Sequence, residues 1–223
     1  MNIHHHPHDE LLFDYATGSL HEAWSLAIAA HLTFCPVCRR HVEGMEAIGG
    51  ALLEQEAPPD PAPGRTDFSF DAVMQAIDTA PALESAGQAS VKPGHAPVLP
   101  AALRRYAGGD VDDLPWRRLG PGAQQVLIPV SEPGVTARLL RIAPGVRVPE
   151  HTHRGLELTV VLKGAFEDHT GWFGPGDLEV ADETVEHQPV ATRDAECICL
   201  AVTDAPLRFR SLAARLVQPL FGI

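Results

Sequence analysis

Two sets of side chains in this 223-residue chain have the types and spacing of metal ligands. The first lies in Gly145 to Gly164, GVRVPEHTHRGLELTVVLKG. His151 and His153 alternate, so on a β-strand both imidazoles leave from one face. Glu157 follows, and His187, in ETVEHQP, can be supplied by a neighbouring strand. Three neutral imidazoles and a carboxylate suit a divalent first-row ion such as Zn, Mn, Fe or Ni. The second set is His31-Leu-Thr-Phe-Cys35-Pro-Val-Cys38. Pro36 fits the first turn of a helix without losing a hydrogen bond. Cys35 and Cys38 then lie one turn apart on one face, at a helix N-terminus that favours thiolates. His31, at the end of the preceding helix, reaches the same point. Two thiolates and an imidazole need one more ligand to close a tetrahedral zinc site. The N-terminal cluster His4, His5, His6 and His8 offers it, His6 first, with His8 and His5 behind it. The cluster also has the look of an affinity-tag remnant. It is short, however, is broken by Pro7 and runs directly into a periodic segment. A bare Cys-x-x-Cys also serves thioredoxin-like redox chemistry, but no βαβ pattern surrounds this one.

The elements that must position these residues follow from periodicity. Asp9 is read as the N-cap of a first helix, ELLFDYA, ending near Gly18. Ser19 and Glu22 form a Ser-x-x-Glu capping box for a second helix. Leu20, Ala23, Trp24, Ala27, Ile28 and His31 give that helix one apolar face. A third helix runs from Pro36 through Val42, Met45, Ile48 and Leu52. After the proline-rich QEAPPDPAPG loop, FSFDAVMQAIDT (68–79) reads as a fourth. Residues 80–97, small, polar and proline-rich, form a flexible linker, which divides the chain into a helical module (1–79) and a second domain (98–223).

That second domain opens with a short helix, AALRRYA, stopped by Gly108-Gly109, and from Trp116 the pattern changes to strands. QQVLIPV, TARLLRIA, LELTVVLKG, GDLEVA and ECICLAVT, separated by Pro-Gly turns, have the pattern of an all-β barrel or sandwich. Cys197 and Cys199 share one face of the last of these; core packing is favoured over a redox pair. Glu150 and Glu186, which flank the histidines, are read as outer support or as solvated, and His169 as exposed. The C-terminal LAARLVQPLFGI is read as a helix covering a barrel edge or making a homodimer contact.

Composition narrows the function. The formal charge is −12. Residues 1–95 carry 13 acidic and 4 basic side chains, against 16 and 13 in the remainder. An acidic first half repels phosphate, which argues against direct nucleic-acid contact and suits a basic protein partner. No secretory pattern and no run long enough to span a bilayer is present in the sequence, so a cytoplasmic location without a membrane is expected. Four cysteines in such a chain point to metal or redox chemistry more than to a disulfide framework.

The motifs also carry resemblances. Gly-x5-His-x-His-x3-Glu-x6-Gly, met by Gly145, His151, His153, Glu157 and Gly164, resembles the first motif of the cupins, small double-stranded β-barrels with a metal at the mouth. WFGPGDLEVADETVEHQP resembles the second, although His187 comes late and the usual asparagine beyond it is absent. The His–His-x3-Cys-x2-Cys order of the first 80 residues resembles the zinc-binding anti-sigma domain. Together the two halves resemble the ChrR-type anti-sigma factors. That resemblance implies an α+β two-domain protein: a small all-α zinc module followed by an all-β cupin barrel. It implies zinc at His6, His31, Cys35 and Cys38, and a second divalent metal at His151, His153, Glu157 and His187. It further implies a non-enzymatic regulator that sequesters an extracytoplasmic-function (group IV) sigma factor. Release would follow stress of the singlet-oxygen and organic-peroxide class, sensed through the cupin. The alternative is a metal-dependent cupin enzyme, a dioxygenase or isomerase, with an appended zinc module.

Overall fold

A computed structural model describes residues 2–56, 69–80 and 96–211. Helices α1 (Asp9–Ala16), α2 (Glu22–Phe34) and α3 (Pro36–Gln55) come first, then α4 (Phe70–Thr79) and α5 (Ala101–Ala107). Twelve strands follow: β1 (Arg117–Gly120), β2 (Ala123–Ile128), β3 (Thr136–Ile142), β4 (His151–Thr152), β5 (Glu157–Lys163), β6 (Phe166–Glu167), β7 (Trp172–Phe173), β8 (Leu178–Ala181), β9 (Glu186–His187), β10 (Val190–Ala191), β11 (Cys197–Thr203) and β12 (Arg208–Phe209). The fold is thus a helical N-terminal region and a β C-terminal region. Phe68, most of the 80–97 stretch and the LAARLVQPLFGI segment lie outside the described residues.

The strands form a six-stranded antiparallel sheet, β1-β2-β3-β11-β5-β8, and two three-stranded ones, β10-β6-β7 and β12-β4-β9. The three enclose a cavity of about 550 Å³, lined among others by Arg138, Leu140, Phe166, Cys199 and Phe209. Period-two alternation divides the large sheet into two faces. Arg138, Glu157, Thr159, Glu179, Cys197 and Cys199 line the cavity. Leu139, Leu158, Val160, Leu178, Ile198, Leu200 and Val202 face outward into a core shared with Leu12, Ala27, Ile28 and Leu103 of the helices and with Leu99 just before α5. Helix α2 packs directly on β5 and β11. The central strands β5 and β11 are therefore buried on both faces, which is why LTVVL and CICLAV read as nearly continuous apolar runs.

Three local expectations change. Helix α2 does not bury one stripe: Ala23, Trp24, Leu26, Ala27, Ile28, Ala30, His31 and Leu32 are all buried, because the sheet covers one side and the other helices the rest. Its start is not capped by Ser19, whose hydroxyl instead turns back to the Asp14 carbonyl at 3.2 Å. Helix α2 begins at Glu22, whose N–H is bound by the Glu132 carboxylate. The Glu22 carboxylate accepts from Tyr106 Oη at 2.8 Å and from the Ser131 N–H at 2.9 Å. A tertiary contact has replaced the local box. Asp9, expected as the N-cap of α1, is instead its first residue behind an uncapped His8, where its charge meets the positive end of the helix dipole.

Candidate metal centres

The first cluster gathers His6, His31, Cys35 and Cys38, one ligand atom from each lying within 4.8 Å of every other. Cys35 is the N-cap of α3, Pro36 its first residue, and the Cys38 N–H points at Cys35 Sγ across 3.4 Å. His6 Nδ1 lies 3.4 Å from Cys35 Sγ and 3.3 Å from Cys38 Sγ. His31 Nδ1 donates to the Gly176 carbonyl at 2.7 Å, which leaves Nε2 with a lone pair. That Nε2 is buried and has no hydrogen-bond partner. An unpartnered imidazole nitrogen facing two thiols and a second imidazole is what a metal centre needs and what a neutral core avoids. Burial holds His31 down to about 4, so it is a neutral donor. Burial, with the Cys35 thiol alongside, pushes the Cys38 thiol up to about 12, and only a cation close by would reverse that. The other histidines of the N-terminal cluster are used differently: the His5 ring lies against Phe173 and its Nε2 bonds the Trp172 carbonyl.

The second cluster gathers His151, His153 and His187. Antiparallel pairing of β4 with β9 sets His151 directly opposite His187. Their Nε2 atoms lie 3.0 Å apart, and His153 Nε2 lies 3.2 Å from His187 Nε2. His151 Nδ1 donates to the Pro149 carbonyl at 2.8 Å, and His187 Nδ1 to Asp168 Oδ2 at 2.8 Å, with Glu179 Oε1 at 3.2 Å. With both rings neutral, His151 and His187 turn bare Nε2 lone pairs toward each other, a repulsion that a cation between them would remove. Burial, reinforced by neighbouring His187, holds His151 down to about 4, and burial does the same to His153. Burial alone would lower His187 too, but Glu179, Glu157 and Asp168 carry it above its ordinary value.

Glu157 stands apart from this trio. One of its oxygens accepts from the Thr159 hydroxyl at 3.0 Å, the other lies 3.6 Å from His153 Nδ1, and burial raises its pKa. Asp168 and Glu179 were not singled out from the sequence. Asp168 sits in the turn read only for exposed His169, and its pKa is kept low despite burial by the Thr170 hydroxyl and N–H. The available signal for Glu179 was a carboxylate at an inward-parity position of an apolar strand. Cys197 and Cys199 are free thiols at the cavity wall; their mutual hydrogen bond and burial hold Cys199 well above its usual value. Glu150 and Glu186 each lie 3.5 Å from Arg210 on the surface.

Helices with a thiol–imidazole cluster, packed on a β-barrel that carries three converging imidazoles, two of them at its cavity wall, define a class: two-part proteins with one candidate metal site on the helices and another on a cupin-like scaffold. Residues 105–206 match the family described as ChrR Cupin-like domain. The chain is 46% identical over 228 residues to the Anti-sigma-E factor ChrR of Cereibacter sphaeroides, covering 100% of both proteins. It is also similar to a chain in the crystal structure of Rhodobacter sphaeroides SigE in complex with the anti-sigma ChrR, with a TM-score of 0.76 and 43% identity, over 91% of this chain and 100% of that one. This chain belongs to the ChrR family of anti-sigma factors. Among the described residues, no helix is long and apolar enough to cross a membrane.

Proposed function

We propose that this chain is a zinc-dependent, cytoplasmic anti-sigma factor that sequesters an extracytoplasmic-function sigma factor and releases it under singlet-oxygen or organic-peroxide stress. The observation that carries this reading is the full-length similarity to ChrR, a protein named for its action on a sigma factor and solved with SigE. In this reading residues 1–79 hold the partner, 80–97 link, and 98–223 form the domain needed for the response. The helical region offers a surface for a partner: Ile48, Leu53, Phe70 and Ile77 are 65%, 75%, 77% and 61% exposed. Large apolar side chains grouped on exposed helices are what a protein interface uses. The acidity of the same region suits a basic partner and argues against direct contact with nucleic acid.

His6, His31, Cys35 and Cys38 would hold zinc in the helical module, and His151, His153 and His187, with Glu157 beside them, a divalent ion in the barrel. Bound at the first centre, zinc would supply strong bonds that tie the N-terminal segment to the junction of α2 and α3. The residues do the shaping: His6 brings the N-terminal segment, His31 the end of α2, and Cys35 and Cys38 the start of α3, to one point. The partner-binding surface on α3 and α4 is then presented in one arrangement. Membership in a family of regulators leaves the enzyme alternative without an observation in its favour.

The test is a pull-down of the full chain from its own bacterium, with and without a zinc chelator, with partners identified by mass spectrometry. A single sigma factor, near stoichiometric and lost with chelator, is expected. A clean metalloprotein carrying no sigma factor in either condition would overturn the reading.

A further inference from the structure

The first metal centre is not assembled by the helical module alone. His4 N–H and His5 N–H both donate to Asp177 Oδ1, at 2.7 and 2.9 Å, while Asp177 Oδ2 accepts from the Gly174 N–H at 2.8 Å. The Leu178 N–H returns a bond to the His5 carbonyl at 3.1 Å. Asp177 is itself 1% exposed, and the bonds it accepts from His4 and His5 are part-buried. The preceding residue, Gly176, accepts from His31 Nδ1. Its φ is +93°, and a Cβ there would sit 2.7 Å from both Ile3 Cδ1 and Phe34 Cβ. Two consecutive residues of the barrel's β7–β8 turn therefore hold the two histidine arms of a centre whose cysteines belong to α3.

We propose that Asp177 is a positioning residue of the first metal centre: by clamping the backbone of His4 and His5 it sets His6 over Cys35 and Cys38, while the Gly176 carbonyl fixes the His31 tautomer that presents Nε2. This rests on the reading of that cluster as a metal centre. The physical case is direct. His6 precedes the first helix and has no secondary structure of its own to order it. A ligand on an unanchored segment must be ordered each time it binds, and that cost weakens the site. Two N–H bonds to one buried carboxyl oxygen reduce it, because hydrogen bonds are stronger in the low local dielectric around a buried acceptor. The hydrogen bond on the far nitrogen of His31 does the usual task of an outer-shell partner, here by a backbone carbonyl of the other region of the chain.

The experiment uses the full-length chain, stripped of metal and reloaded with Co²⁺, whose thiolate-to-metal absorption reports the cysteine site and not the barrel site. Wild type and Cys35→Ser come first. If wild type shows no thiolate band, or Cys35→Ser leaves it unchanged, the metal-centre reading itself fails. With that band established, Asp177→Ala is expected to weaken Co²⁺ and Zn²⁺ binding at this site by about tenfold or more, the scale of losing an outer-shell partner, and to shift the band. Asp177→Asn, which keeps an acceptor, recovers part of the loss. His4→Pro removes one donor without touching the barrel and should act in the same direction. The double variant should be no worse than the worse single one, since both break one clamp. Wild-type affinity and spectrum in folded Asp177→Ala and in His4→Pro would overturn the proposal. If Asp177→Ala does not fold, His4→Pro decides alone.

Discussion

The two histidine clusters are made of similar donors but sit in opposite surroundings. His31, Cys35 and Cys38 are buried among helices, none of the four residues of their cluster lines the barrel cavity, and a fourth ligand closes the set. His151 and His187 line a cavity of about 550 Å³, and the set of converging nitrogens stops at three. A closed, sulfur-rich tetrahedron is the geometry of a structural metal; an imidazole trio facing a cavity leaves positions for something else to enter. The comparison teaches that one region closes its donor set with a fourth residue among helices, while the other leaves its set open beside a cavity. The two are not independent, because the six-stranded sheet, which carries Glu157 and Glu179 beside the second, is the floor on which α2 of the first is packed.

The sharpest break between the regions should come from their ligands. Cys38→Ser or His31→Ala should weaken sigma-factor binding by about 100-fold or more, since folding of a small metal module is coupled to its metal. His151→Ala should leave unstressed binding within a factor of about two, its site being remote from the helix surface. Equilibrium titration with a labelled sigma factor reads both, and equal losses would erase the distinction. Next in size, Ile28→Ala in the shared core should cost about 2–5 kcal/mol. It should lower the unfolding midpoint of helices and barrel together; a shift confined to the helical signal in denaturant melts would show two separate cores.

Smaller still is the outer shell of the barrel site. Asp168→Asn and Glu179→Gln each remove a charged partner of His187 Nδ1 and should reduce metal affinity there by about 10–100-fold. Competition with a chromophoric chelator measures this, and the thiolate site should be unmoved. A further test is the effect of pH on the metal-free chain. His31, His151 and His153 are each held down to about 4 from an ordinary 6.5, so below that the unfolded chain takes up protons the folded chain refuses. Stability should therefore fall as pH drops from about 6.5 toward 4. His187, raised in the fold, works the other way, adding stability at low pH that is lost as pH climbs through its folded value. Chemical melts across that window should show a net fall toward acid, and metal loading should shift it.

Much of this protein was legible in its residue order. Cys35-Pro-Val-Cys38 placed a ligand pair on a helix N-terminus because 3.6-residue periodicity and a first-turn proline leave little choice. His151-x-His153 and the Pro-Gly turns indicated strands and their boundaries for the same local reason. The fourth helix was placed within two residues. Other features had no local signature. The Ser19 box failed because Glu22 found Tyr106 and Ser131, more than eighty residues away. Helix α2 looked one-sided, since a sequence cannot show that a sheet will cover its second side.

Local spacing thus determined which residues are brought together and on what elements, because Cys-x-x-Cys and His-x-His pairs and Pro-Gly turns are set within a few bonds of the chain. Only the tertiary structure decided how they are served. It placed Asp168 and Glu179 on the far side of His187, left His31 Nε2 without a partner, and tied the N-terminal histidines to Asp177. Those contacts join segments up to 173 residues apart, and they exist because the outward face of the large sheet shares one core with the helices.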